Sequence, residues 1–173
     1  MHQSINNKEE KNRKDKGKYK MPNWGFADDS IALLSVASYK EFILPYYKRL
    51  VEEFSDGGHI KIHFCGDATH LFKFLKEELN VYSFDTGFPV DFGKLRKELG
   101  PEVEIYGGPN IMLLKDGPAT AIKSEVERIC KSGIMEGRRF VLREGNNLAP
   151  CTPIEHIEAM YETGKEFGYY ETK

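Results

Sequence analysis

The stretch Ile60-Lys61-Ile62-His63-Phe64-Cys65-Gly66-Asp67 alternates apolar and polar residues and then breaks at a glycine. Side chains on a strand alternate faces with period two. Ile60, Ile62 and Phe64 therefore share one face, and Lys61, His63 and Cys65 share the other. An imidazole and a thiol two residues apart, at a strand end before a Gly-Asp turn, can form half of a zinc site. The same pattern also describes a buried strand whose histidine is hydrogen-bonded and whose cysteine serves as a small hydrophobe.

Outward from this strand, short apolar runs alternate with helical patterns. Tyr39, Phe42, Ile43, Tyr46, Leu50 and Phe54 predict a helix from about Ser38 to Phe54, kinked or divided at Pro45. Helices are expected over 68–79, 91–99 and 119–131, and strands over 81–84, 103–106 and 140–143. Thr152, Pro153 and Glu155 form a capping-box pattern that opens the last helix. Gly25–Ala27 is a candidate fifth strand. Strand–helix repetition of this kind implies an α/β fold of parallel strands joined by crossover helices. An open five-stranded sheet fits the length, and so does half of a barrel, since a closed eight-stranded barrel takes about 250 residues.

The chain of 173 residues suits one domain with a real core. Its net charge of −2 carries no nucleic-acid footprint. Three cysteines without framework spacing point to a reducing compartment. No run reaches the length of a membrane span and the N-terminus lacks a signal-peptide core, so a cytoplasmic location with no membrane partner is expected. Residues 1–21 are almost entirely polar and are read as a disordered tail, leaving 22–173 as the folded domain.

Several segments together resemble the C-terminal half of the uroporphyrinogen decarboxylase superfamily. They are Phe26-Ala27-Asp28-Asp29-Ser30 with Leu33-Leu34-Ser35, Tyr39-Lys40-Glu41-Phe42-Ile43-Leu44-Pro45-Tyr46, and His63-Phe64-Cys65-Gly66-Asp67. Gly107-Gly108-Pro109 with Leu113-Leu114, and Asn147-Leu148-Ala149-Pro150-Cys151-Thr152-Pro153, follow in order. The resemblance implies a partial TIM-type (β/α)8 barrel, roughly its C-terminal half. The motif is nearest to the cobalamin-dependent methyltransferases of that superfamily, whose His-x-Cys-Gly supplies two zinc ligands. His63 and Cys65 match it, at the strand end where barrels place their active sites. Zinc would lower the pKa of a bound acceptor thiol, and the thiolate would take a methyl group from a corrinoid on a separate protein.

The family's third zinc ligand lies in a Gly-Cys-Gly, whereas Gly145-Asn146-Asn147 stands at the corresponding place here. Cys151, five residues after Asn146, is the remaining candidate for a third ligand; a cysteine of the helix's first turn is the alternative. Asp67 is a candidate to orient His63, or to hold its own loop. Asp28 and Asp29 end the first strand, where one of them is expected to face the site and helix capping is the alternative. Arg143, Asn146 and Asn147 are candidate substrate-binding residues, with salt bridging as the ordinary role of the arginine. Cys130 reads as core filling, and His59, His70 and His156 as surface residues.

Three functions stay open: part of a zinc- and corrinoid-dependent methyltransferase, part of a uroporphyrinogen decarboxylase of porphyrin biosynthesis, or a non-catalytic fragment. A half barrel exposes strand edges, so self-association or a complementary N-terminal half is expected.

Overall fold

A computed structural model describes residues 20–170, so the expected tail lies almost wholly outside the described residues. Met21 forms a parallel bridge with Ser55. Five strands follow: β1 (Gly25–Ala27), β2 (Ile60–His63), β3 (Val81–Asp85), β4 (Glu104–Gly107) and β5 (Phe140–Leu142). All four pairings are parallel, and the sheet order is sequential from β1 to β5. Sequential order decides between the two architectures. An open doubly wound sheet reverses its strand order at a switch point. Here every right-handed crossover steps the same way, which puts all the helices on one face. The fold is a partial TIM-type barrel.

The helices between strands are α1 (Leu44–Phe54), α2 (Thr69–Leu79), α3 (Phe92–Leu99), α4 (Ile111–Asp116) and α5 (Ala119–Ile129), with α6 (Ile154–Phe167) after β5. Pro45 does what its chemistry requires. Its ring has no N–H and would collide with the carbonyl four residues back. The preceding turn, Tyr39–Ile43, accordingly widens to a π turn in which Leu44 N–H reaches the Tyr39 carbonyl. Ser35 opens this helical segment by accepting Ser38 N–H at 3.0 Å. Asp91 caps α3 through Lys94 N–H at 3.0 Å.

The core lies between the sheet and its helices. Ile60, Ile62 and Phe64 are all buried there with Leu71, Phe72 and Leu75 of α2, as the alternation predicted. Phe72 stacks on Phe64 at 4.8 Å between ring centres. A second cluster of Leu114, Ile122, Val126, Cys130 and Met160 joins α4, α5 and α6. On the opposite sheet face, Ala27 and Lys61 are exposed.

Two local expectations differ from the structure. The capping box at Thr152 does not form: its hydroxyl donates back to the Ala149 carbonyl at 2.7 Å, and Pro153 takes the cap position. The helix α4 was not expected; Asn110 starts it by accepting Met112 N–H at 2.8 Å.

The pairing of β2 with β3 contains a bulge. Ile60 pairs with Val81, but Lys61 pairs with Ser83, so one extra residue sits on β3. A bulge of this kind re-aims every later side chain on its strand. Val81 packs in the core, and strict alternation from it would send Asp85 the same way. The extra residue instead puts Asp85 beside His63.

Candidate metal centre

The site forms where the carboxyl ends of β1, β2, β3 and β5 converge. His63 ends β2 and is in register with Asp85, which ends β3. The His63 Nδ1 lies 2.8 Å from Asp85 Oδ2. Arg143, just past β5, donates from Nη1 to the same oxygen at 2.8 Å, and from Nη2 to Glu144 Oε1 at 2.8 Å. An ionised carboxylate only accepts, so Nδ1 carries a proton, and in the neutral ring Nε2 then keeps its lone pair. That nitrogen faces Cys65 Sγ at 3.9 Å and Asp29 Oδ1 at 3.9 Å.

Two further contacts fix the thiol. Cys65 N–H donates to Asp29 Oδ1 at 3.0 Å, and Asn146 Nδ2 donates to Cys65 Sγ at 3.0 Å. Gly87 packs against the same segment so closely that a Cβ there would lie 2.5 Å from Gly66 N. Only a glycine lets the loop after β3 approach the Cys65–Gly66 backbone. Burial pushes the Cys65 thiol up from its ordinary pKa, the Asp29 carboxylate adds to the rise, and the Asn146 amide opposes it.

One atom each from Asp29, His63 and Cys65 lies within 4.8 Å of the others. In a tetrahedral zinc site, bond lengths of about 2.0–2.3 Å set neighbouring donors roughly 3.4–3.6 Å apart. The two spacings from His63 Nε2 are both 3.9 Å and that between Asp29 and Cys65 is within 4.8 Å, so side-chain shifts close them to that range. The donor set of one oxygen, one nitrogen and one sulfur therefore fits zinc.

Of the candidates read from sequence, the structure brings together Asp29, His63, Cys65, Arg143 and Asn146. Cys151 is not among them: it is exposed in the turn before α6, with φ of 64°. Asp67 turns to its own loop and accepts Thr69 N–H at 3.1 Å. Asp28 is half-buried and accepts the Tyr47 hydroxyl, while burial raises its pKa. Asn147 is exposed, its N–H donating to Asn146 Oδ1 at 2.8 Å. Other histidines are engaged elsewhere, His59 stacked on Tyr82, His70 on the Leu34 carbonyl and His156 on the Leu114 carbonyl. Asp85 and Glu144 were missed. A strand-terminal aspartate was the available signal for Asp85, but the expected strand stopped one residue short of it.

Comparison with known proteins places this geometry in context. The family profile described as uroporphyrinogen decarboxylase (URO-D) matches residues 25–167. A methylated-thiol–coenzyme M methyltransferase of Methanosarcina mazei is 30% identical over 139 residues, which cover 79% of this chain and 35% of that protein. A uroporphyrinogen decarboxylase of Myxococcus xanthus is 30% identical over 149 residues, covering 84% of this chain and 39% of that one. The solved structure of a methyltransferase from Methanosarcina mazei superposes with a TM-score of 0.66 at 21% identity, over 84% of this chain and 42% of that chain. The chain thus spans between a third and two-fifths of the length of these curated relatives.

Proposed function

This chain belongs to the uroporphyrinogen decarboxylase (URO-D) family, and we propose that it is the metal-bearing part of a zinc-dependent corrinoid:acceptor methyltransferase. Sequence identity does not separate the two activities, since the methyltransferase and a decarboxylase are both 30% identical. The observation that carries the reading is the cluster of Asp29, His63 and Cys65, with Asp85 on the far nitrogen of the histidine. In this reading Asp29 offers an oxygen, His63 its Nε2 and Cys65 its sulfur to zinc. Bound there, zinc would lower the pKa of an acceptor thiol so that the thiolate is available near neutral pH. The methyl donor is a corrinoid carried by a partner protein, and the acceptor is a small thiol.

Charge weighs against a decarboxylase site. A tetrapyrrole with several carboxylates needs free cationic groups, but Arg143 is held between Asp85 and Glu144. Asp29, Asp85 and Glu144 outnumber that one arginine, an arrangement suited to a cation rather than to a polyanion.

The described residues form five strands where a TIM-type barrel has eight. We propose that further βα units, on the same polypeptide or another, close against the edges of β1 and β5. The site would then lie inside a wall, shielded from water.

Zinc content of the purified chain tests the proposal. The wild type is expected to retain zinc, and His63→Ala, Cys65→Ser and Asp29→Asn each to lose it. A wild type that binds none, under conditions where a full-length relative retains its zinc, overturns the reading.

A further inference from the structure

We infer that Asp85 is the positioning residue of this centre: anchored by Arg143, it holds the His63 ring in the tautomer and orientation that turn Nε2 towards Cys65 and Asp29. Its consequence for metal binding rests on the zinc reading above. Its effect on the ring does not.

The inference starts from one oxygen with two donors. Asp85 Oδ2 accepts from His63 Nδ1 and from Arg143 Nη1, both at 2.8 Å. A carboxylate bonded to the histidine alone could rotate about its own side chain. Here the guanidinium fixes the position of the shared oxygen, because Arg143 is itself tied to Glu144 Oε1 at 2.8 Å. The chain of contacts therefore runs from β5 across β3 to β2, three elements held in register by the sheet.

The bulge between Ile60 and Lys61 is what makes the arrangement possible, since it carries Asp85 onto the histidine's face. A single device thus serves one contact. The same anchor reaches the thiol. Glu144 is followed by Gly145 and Asn146, and Asn146 donates to Cys65 Sγ at 3.0 Å. Arg143 consequently steadies both the ring and the loop that lies on the sulfur. Histidines that ligate metals commonly donate their second N–H to a carboxylate, which fixes the tautomer, and losing that partner costs about 10–100-fold in affinity.

The alternative is that Asp85 and Arg143 form a plain structural ion pair that His63 happens to touch. The two differ in the ring tautomer, which a structural ion pair has no means to set. Long-range nitrogen–proton NMR correlation on chain carrying 15N-labelled histidine reads that tautomer without metal, at a pH where the ring is neutral. Competition with a chelating dye, using zinc alone, reads affinity on the same samples.

The wild-type ring is expected to carry its proton on Nδ1. Asp85→Ala is expected to shift it to a mixture of tautomers and to weaken zinc binding by about 10–100-fold. Asp85→Asn keeps an acceptor oxygen under Arg143, so it should retain the Nδ1–H tautomer and recover most of the affinity. Wild-type tautomer and affinity in Asp85→Ala overturn the inference and leave the zinc reading intact. A tautomer lost in Asp85→Ala beside a wild type that binds no zinc overturns the zinc reading and supports the inference. Should Asp85→Ala fail to fold, Asp85→Leu, which fills the space but offers no acceptor, decides, and an Nδ1–H ring retained at the wild-type level in that variant overturns the inference.

Discussion

The Asn146 side-chain amide donates to the Cys65 sulfur across 3.0 Å, joining residues 81 positions apart in the chain. The loop after β5 is thereby closed over the end of β2. A donor aimed at sulfur favours the thiolate over the thiol. Position 146 is also where the resemblance puts a metal-binding cysteine, so the amide occupies the place of a ligand without being a good one.

Replacing that amide by a thiol should complete the donor set. Asn146→Cys is expected to tighten zinc binding by about tenfold or more, roughly 1.4 kcal/mol. Dye competition measures the affinity, and cobalt(II) substitution should show a stronger sulfur-to-metal charge-transfer band than in the wild type. An unchanged affinity and spectrum would place residue 146 outside reach of the metal.

Asp28, next to Asp29 in the chain, offers a pH test beside the centre. Burial raises its pKa above the ordinary 3.8, the Tyr47 hydroxyl bond opposes the rise, and Asp29 adds to it. A carboxyl raised on folding contributes stability that is full below the unfolded pKa and is lost as pH climbs through the folded one. At neutral pH the buried charge is therefore a cost. Asp28→Asn removes the charge while keeping an oxygen for Tyr47. It should raise the melting temperature at pH 7, and by less at pH 3. Calorimetry at the two pH values checks both the sign and the difference.

Arg96 is 1% exposed and has no carboxylate among its bonded partners. Its guanidinium instead donates to the carbonyls of Ile134, Gly100, Val103 and Arg139 at 3.0, 2.9, 2.6 and 3.2 Å. It ties the end of α3 to the loop that leads into β5. Arg96→Met fills similar volume but strips these carbonyls of their donors, at a cost of about 3 kcal/mol or more. Urea unfolding should show a lower midpoint with an unchanged slope.

Phe42 and Tyr46 lie one turn apart on the helical segment before β2 and are 59% and 63% exposed. Exposed apolar groups of this kind, together with the unpaired edge of β1, should drive association of the isolated chain. Sedimentation over a range of concentrations should show self-association in the wild type, reduced in the Phe42→Lys, Tyr46→Glu double variant. A wild type that stays monomeric throughout would contradict the open-edge reading.

Much of the fold was legible in sequence because its determinants are local. The alternation from Ile60 to Cys65 sorts core from site with no knowledge of the partner strands, since successive side chains point opposite ways on any strand. The helix through Pro45 and its disturbance followed from periodicity and from the missing N–H. Thr152 misled because its hydroxyl had a nearer acceptor in the Ala149 carbonyl, which the capping pattern does not reveal.

Local chemistry thus determined most of the elements, the buried face of β2 and two members of the cluster, His63 and Cys65. Tertiary structure alone decided the rest. Asp29 rather than Asp28 joins the site because the chain after β1 turns its carboxylate onto the Cys65 N–H. Asp85 meets His63 only because a bulge, a property of two paired strands rather than of either one, shifts its face. Arg143 and Asn146 reach that site from 80 or so residues away. No periodicity in the chain encodes such contacts; they exist once sheet register and loop closure fix where the strand ends lie.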